Sequence, residues 1–163
     1  RALHVRLLYD IYVEAFQKKR VPVQTFKASL LLELSPQESV LLEQSLEPLA
    51  FSGFAVSHFG GSTFAVNTIP EYLNEDQVEK VISEIIDRLI MSGNRVQGDE
   101  ILKEVCQVVA ENGAIFPAQE LTQFEMECFL AQWEDLGSPM SSIKEAPILV
   151  ELSQKELEKR LRN

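Results

Sequence analysis

The sequence predicts an α+β fold, and three of its features carry that prediction. Leu30–Leu73 reads as a strand, a helix and two further strands. Ser35, Asn74, Thr122 and Ser153 each stand three positions before a Glu or Gln, at the start of an apolar helical pattern. In such a pair, both side chains satisfy backbone donors that the first helical turn leaves open. Finally, Phe54, Val56 and His58 alternate with Ala55, Ser57 and Phe59, Gly60-Gly61 permits a tight turn, and Phe64 and Val66 resume the alternation before Pro70.

In chain order, Leu3, Leu7, Leu8, Ile11, Tyr12 and Ala15 form one stripe of a helix over about Ala2–Lys19, with Arg6, Asp10, Glu14 and Lys18 opposite. Lys18-Lys19-Arg20 complements the negative end of that helix and Pro22 stops it. Val23–Ser29 is extended and leads into the strand at Leu30, and Pro36 opens the next helix at its first position. After the hairpin, Val78, Val81, Ile82, Ile85, Ile86, Leu89 and Ile90 repeat with helical spacing up to Gly93. Ile101, Leu102, Val105, Cys106, Val108 and Val109 give the following helix, ending near Gly113, a broad apolar face. Met126, Phe129, Leu130 and Trp133 stripe the helix that Thr122 caps, before Gly137. Ile148–Leu152 reads as a short strand, and a last helix holds Leu157 and Leu161.

With 163 residues, 45% of them hydrophobic, the chain can bury a substantial core. No apolar run reaches the roughly 18 to 20 residues of a membrane span, and the first residues lack the layout of a signal peptide. Cys106 and Cys128 have no metal-type spacing and read as reduced thiols, so the expected location is cytoplasmic. The first residue is Arg, which suits a segment of a longer protein. The net charge of −10 is unevenly placed: residues 31–113 hold 14 acidic against 4 basic side chains, residues 1–30 hold 2 against 6, and residues 114–163 hold 9 against 5. Such a middle segment repels phosphate and suits solvent or a protein partner better than DNA.

Catalytic patterns are sparse. Asp10 and Glu14 lie four apart on a helix with His4 upstream, a spacing that could hold a metal ion but reads more readily as a solvated charged face. His58 sits in the hairpin with no base partner nearby in sequence. No serine has a nucleophile-elbow context, and Gly60-Gly61 opens no helix that would cradle phosphate. The residues alone therefore point to an interaction module.

The order of elements and several phrases resemble a known family, the C-terminal dimerisation domain of the DNA mismatch repair protein MutL. The resemblance runs from HVRLLYD through LELSPQES, FAVSHFGGSTFAVNTIP and ENGA to PILVELSQKELEKRL. It implies two subdomains: a dimerisation part formed by residues 1–29 and 114–163, and an outer acidic part, 30–113, inserted between them. The charge distribution makes the same division.

Many members of that family are metal-dependent nicking endonucleases. Aligned on Arg6–Asp10, the DQHA-type motif places its histidine at Arg1, its first glutamate at Val5 and its last at Asp10. The ACR-like element falls on Val105-Cys106-Gln107, the CPHGRP element on Ser142–Pro147 and the terminal FxR on Leu161-Arg162-Asn163. Asp10, Cys106 and Pro147 are kept, while Val5, Ser142 and Lys144 replace groups that would hold metal. The resemblance thus implies a MutL domain without its own nuclease, catalytic residues or cofactor, whose parent protein carries an N-terminal ATPase.

It further implies a homodimer, contacts with the mismatch-recognition protein MutS, and DNA held by the assembled protein. A sliding-clamp segment of the form QxxLxP would align with Gln24–Ser29, keeping Gln24 but losing the apolar fourth residue and the proline, with Gln24 and Phe26 as its candidate contacts. The interface is expected at Phe129, Trp133, Ile148 and Val150. The alternatives from other classes are a residual metal-dependent nuclease using Asp10, His4 and Cys106, and a small-molecule sensor. The family's domain begins with strands before the first helix, whereas this chain opens on the helix.

Overall fold

A computed structural model describes residues 1–91, 99–114 and 120–149, together with 153, 154, 156 and 159. Its elements are helix α1 (Ala2–Gln17), strand β1 (Val23–Glu33), helices α2 (Pro36–Gln44) and α3 (Leu46–Phe51), strands β2 (Ala55–Gly60) and β3 (Thr63–Pro70), and helices α4 (Val78–Met91), α5 (Asp99–Gly113) and α6 (Gln123–Asp135). A 3₁₀ turn, Glu75–Gln77, leads into α4. The α+β class expected from the sequence is the one observed. Among the described residues, no helix is long and apolar enough to cross a membrane.

The three strands form an antiparallel sheet in the order β1-β3-β2. The central position falls to β3, whose Phe64, Ala65, Val66, Ile69 and Pro70 are buried. The β2–β3 turn relies on Gly61, whose φ of 59° lies in the left-handed region that glycine enters without steric cost. Two departures from the expected elements have local causes. The helix opened by Pro36 is two helices, because a proline at 48 inside one continuous helix would lose a bond to the carbonyl four residues back and clash with it. The chain breaks at Ser45, and Pro48 falls in the first turn of α3, where no amide is needed. Strand β1 spans the whole of Val23–Glu33, with an irregularity: Thr25 pairs with Thr68 and Leu30 with Val66, so Phe26–Ser29 oppose only Asn67. The expected subdomain boundary at 29/30 falls at the end of this bulge.

The segment Ile148–Leu152 is not the expected strand where it is described. Ile148 donates its amide to the Met140 carbonyl at 2.9 Å, and Pro147 forms an isolated bridge with Ser141. The chain here doubles back on itself around Glu145, at φ 61°, and does not join the sheet. Val150–Leu152 lie outside the described residues, as do Leu157 and Leu161 of the last predicted helix, whose Ser153–Glu156 cap is nevertheless present.

The core is built against one face of the sheet. Helix α4 contributes Val78, Val81, Ile82, Ile85, Ile86 and Leu89, all buried, as the 3.6-residue period requires. Each such side chain removed from water stabilises the fold by about 1.5–3 kcal/mol. Helix α5 adds Val105, Cys106, Val108 and Val109. Its end passes so close to the loop after β3 that a Cβ on Gly113 would lie 2.5 Å from the Tyr72 carbonyl oxygen, which explains the glycine. Helix α1 reaches this core through Tyr12, whose ring meets Tyr72 edge-on at 5.6 Å and whose hydroxyl donates to the buried Ser52 carbonyl. No residue of α6 is buried.

Replacing Tyr12 by Phe leaves the Ser52 carbonyl without its side-chain donor. The expected loss is about 1–2 kcal/mol, read as a lower denaturant midpoint with an unchanged slope.

Candidate functional site

Of the residues that align with nuclease motifs, Arg1, Val5, Ser142, Ile143 and Lys144 come together, without metal-binding side chains among them. The first turn of α1, the end of α5 and the loop after α6 border an open, shallow cavity of about 450 Å³ lined by Arg1, Ala2, Val5, Glu111, Ser142, Ile143 and Lys144. Asp10 and Cys106 are not among its lining residues. Asp10 accepts from Arg6 Nε at 2.7 Å, and Arg6 Nη1 donates to the Ser141 carbonyl at 3.0 Å, which ties α1 to the loop. Glu14 is paired with Lys18. Burial pushes the Cys106 thiol up to about 12, so the free thiol stays protonated at neutral pH. Among the described residues, no three His, Cys, Asp or Glu side chains gather as a metal site. A divalent cation does not fit a cavity whose nearby carboxylates are already held by arginine and lysine.

Glu111 shows this best, and the sequence reading missed it. Arg88, on α4, donates Nη2 to Glu111 Oε2 at 2.7 Å and to Glu84 Oε1 at 2.9 Å, and Nη1 to Glu104 Oε2 at 3.2 Å. Gln107 bonds Glu111 Oε1 at 2.8 Å, and Lys144 Nζ reaches the same oxygen at 3.3 Å. Burial alone would raise the Glu111 carboxyl, but the Gln107 hydrogen bond and the charges of Arg88 and Lys144 outweigh it and hold the group below its ordinary value of 4.5. The Glu84–Arg88 spacing was legible as a helical i,i+4 pair. The partners on α5 are a product of the fold.

The remaining candidates separate. His58 stays in the hairpin, its ring 5.2 Å from that of Phe64 and its Nε2 2.8 Å from the Gly61 carbonyl. Gln24 donates Nε2 to the Leu73 carbonyl, and Phe26 packs, half-buried, against the core. Val150 and the aligned FxR positions, Leu161-Arg162-Asn163, lie outside the described residues. Trp133 is half-buried and donates Nε1 to the Pro139 carbonyl at 2.9 Å, and Ile148 is half-buried in the loop.

Phe129 sits elsewhere, in a second cavity of about 240 Å³ between α1 and α6, lined by Arg1, Leu3, His4, Leu121, Met126, Phe129 and Leu130. Its ring meets that of His4 with centroids 4.6 Å apart and planes inclined at 49°. Beside it Phe124, Met126 and Leu130 are exposed, at 74%, 47% and 49%, so the apolar stripe of α6 is left open.

A family model of the MutL C terminal dimerisation domain matches residues 1–121, which hold α1 through α5 and the sheet. The chain belongs to this MutL family. It is 28% identical over 156 residues to the DNA mismatch repair protein MutL of Koribacter versatilis (strain Ellin345), covering 96% of this chain and 24% of the relative. The MutL of Parabacteroides distasonis is 26% identical over 159 residues, or 98% of this chain and 26% of the relative. That of Clostridium acetobutylicum is 26% identical over 161 residues, or 99% and 26%. The chain therefore spans about a quarter of the length of these MutL relatives.

Replacing Arg88 by Met strands carboxylates that the guanidinium now satisfies. A loss of about 2–4 kcal/mol is expected, below the full cost for a deeply buried pair because Arg88 keeps some solvent contact. Glu111, with its carboxyl depressed in the fold, contributes stability that is present above pH 4.5 and is lost as the pH falls below it. Unfolding free energies measured from neutral pH into the acid range are expected to fall less steeply in the Arg88→Met protein.

Proposed function

We propose that this domain holds two copies of its parent protein together, through α6 and the groove that α6 forms with the start of α1. The observation that carries this is the state of α6: a 13-residue helix with an apolar stripe and no buried residue. Self-association is the economical way to cover such a stripe, because one surface serves both partners. Membership in a dimerisation-domain family supports the same reading. Phe129 and Leu130 are its centre, while Trp133 and Ile148 stand at its margin.

In the parent protein, the dimer would keep two N-terminal ATPase units close, so that their closure encircles DNA. The acidic segment 31–113 would face outward and offer surface to other repair proteins, a mismatch-recognition MutS among them. The division into residues 1–29 with 114–163 and an outer part 30–113 belongs to this proposal, and the charge distribution supports it.

We infer further that the domain does not cut DNA. Asp10 is held by Arg6, Cys106 is a buried neutral thiol, and Val5, Ser142 and Lys144 line the cavity where the motifs align.

Sedimentation at micromolar concentration is expected to give a dimer, and Leu130→Glu, which puts a charge in the exposed stripe, to weaken it at least about 100-fold without altering the circular dichroism spectrum. A wild-type protein that stays monomeric would overturn the reading. Incubated with manganese and supercoiled plasmid, the domain is expected to leave the plasmid intact. Nicking that disappears in Asp10→Ala would instead establish the nuclease.

A further inference from the structure

The far end of α1 carries a groove whose chemistry differs from that of the α6 face. Between the last turns of α1 and the first half of α5 lies a cavity of about 200 Å³ lined by Val13, Phe16, Gln17, Leu102, Lys103 and Cys106. It is about 20 Å along α1 from Leu3 and the α6 stripe, since a helix rises about 1.5 Å per residue. We propose that this groove docks an acidic segment of another protein, which seats one apolar side chain in the cavity and sets its carboxylates against Lys19, Arg20 and Lys103.

Size supports the first half of the proposal. Small-molecule pockets measure about 300–1,000 Å³ and present several convergent polar groups. This cavity is smaller, and only Gln17 and Lys103 bring polar side chains to it. One leucine- or phenylalanine-sized anchor suits such a space, as in many protein interfaces.

Charge supports the second half. Lys18-Lys19-Arg20 follows Gln17 at one rim and Lys103 stands at the other, all four exposed. Lys18 is paired with Glu14. Among the described residues, no ion pair holds Lys19, Arg20 or Lys103. Two further carboxylates of these helices are engaged elsewhere, Asp10 by Arg6 and Glu104 by Arg88. In a chain of net charge −10, unpaired cations on both rims of an apolar groove make a local field of the opposite sign, which favours an acidic partner and disfavours a basic one.

The backbone at Lys19 points the same way. Its φ is 53°, and the amides of Lys19 and Arg20 donate to the carbonyls of Phe16 and Ala15 at 2.9 and 2.8 Å, which closes the helix. Glycine is the usual residue in such a turn, because a Cβ there is strained. With the carbonyls served by amides, the Lys19 side chain gives the turn little beyond its attraction to the helix's negative end, and its charge is available to a partner.

The test reads the fluorescence anisotropy of a labelled probe peptide, one phenylalanine flanked by aspartates, titrated with the whole chain. Saturable binding is expected, weakening about tenfold as salt rises from about 50 to about 200 mM. A probe with serine for phenylalanine is expected to bind at least about tenfold more weakly, and one with lysines for aspartates not to bind. Lys103→Glu and Arg20→Gln are each expected to weaken the acidic probe by about fivefold or more. Lys19→Gly is expected to weaken it similarly while raising the thermal midpoint, a combination that a purely structural lysine would not give. Lys80→Gln, at the start of α4, is expected to change nothing. No saturable binding, indifference to the loss of phenylalanine, or binding that survives Lys103→Glu overturns the proposal. So does tighter binding of a DNA duplex of about 20 base pairs, released by the same substitutions, which would make the rim a nucleic-acid contact. Further association of the chain at low salt that Lys19→Gly abolishes would make the occupant a second copy and overturns it as well. Dimerisation through α6 stands or falls separately.

Discussion

A buried tyrosine on the first helix pins that helix to the rest of the domain. Tyr12 carries a large apolar ring into the core, and the burial of its oxygen demands an acceptor. The carbonyl of Ser52, at the corner between α3 and β2, supplies it. This sets both the depth and the rotation of α1, since a helix turned by one residue would swing the ring away by about 100°. With α1 fixed there, its first turn falls beside the end of α5 and the loop after α6. Val5 then lines one cavity and His4 the other. Together with the packing of α1 on α5 and the fully buried Leu7, this contact positions both candidate surfaces.

The second organising element is electrostatic. A middle segment with 14 acidic side chains against 4 basic ones needs some of its negative charge compensated internally wherever helices bring carboxylates together. Arg88 does this with a planar fork that serves Glu84 on its own helix and both Glu104 and Glu111 across the α4–α5 contact. A lysine there would offer a point charge in place of the fork. The same cluster explains why the cavity at the end of α5 is poorly suited to a cation: its carboxylate is already spent on cations of the chain.

What the sequence made legible was local. Capping pairs at Ser35, Asn74 and Thr122 form as read, because both partners lie within one turn and little else can intervene. The period of α4 and the alternation around Gly60-Gly61 likewise report burial directly. Pro48 carried a signal that the reading passed over, and it divides the helix. The Arg88 network could not be read beyond Glu84, since its other partners are 16 and 23 positions away and meet only through packing. Phe129 was legible as an apolar stripe residue, but its place in the groove depends on α1 lying beside α6. Ile148 misled because a short apolar run signals burial without naming the partner that would make it a strand.

The irregular stretch of β1 has a consequence for how this domain can vary. In a regular ladder, gaining or losing one residue turns every later side chain to the opposite face, so that Leu30 and Leu32 would leave the core. Here Phe26–Ser29 already stand out of register, and the ladder resumes at Leu30 opposite Val66. The bulge is a slack segment inside an otherwise strict geometry, where a residue can be inserted or removed while the strand beyond it stays in place. Strand β3 has no such latitude, because both neighbouring strands take their register from the same eight residues.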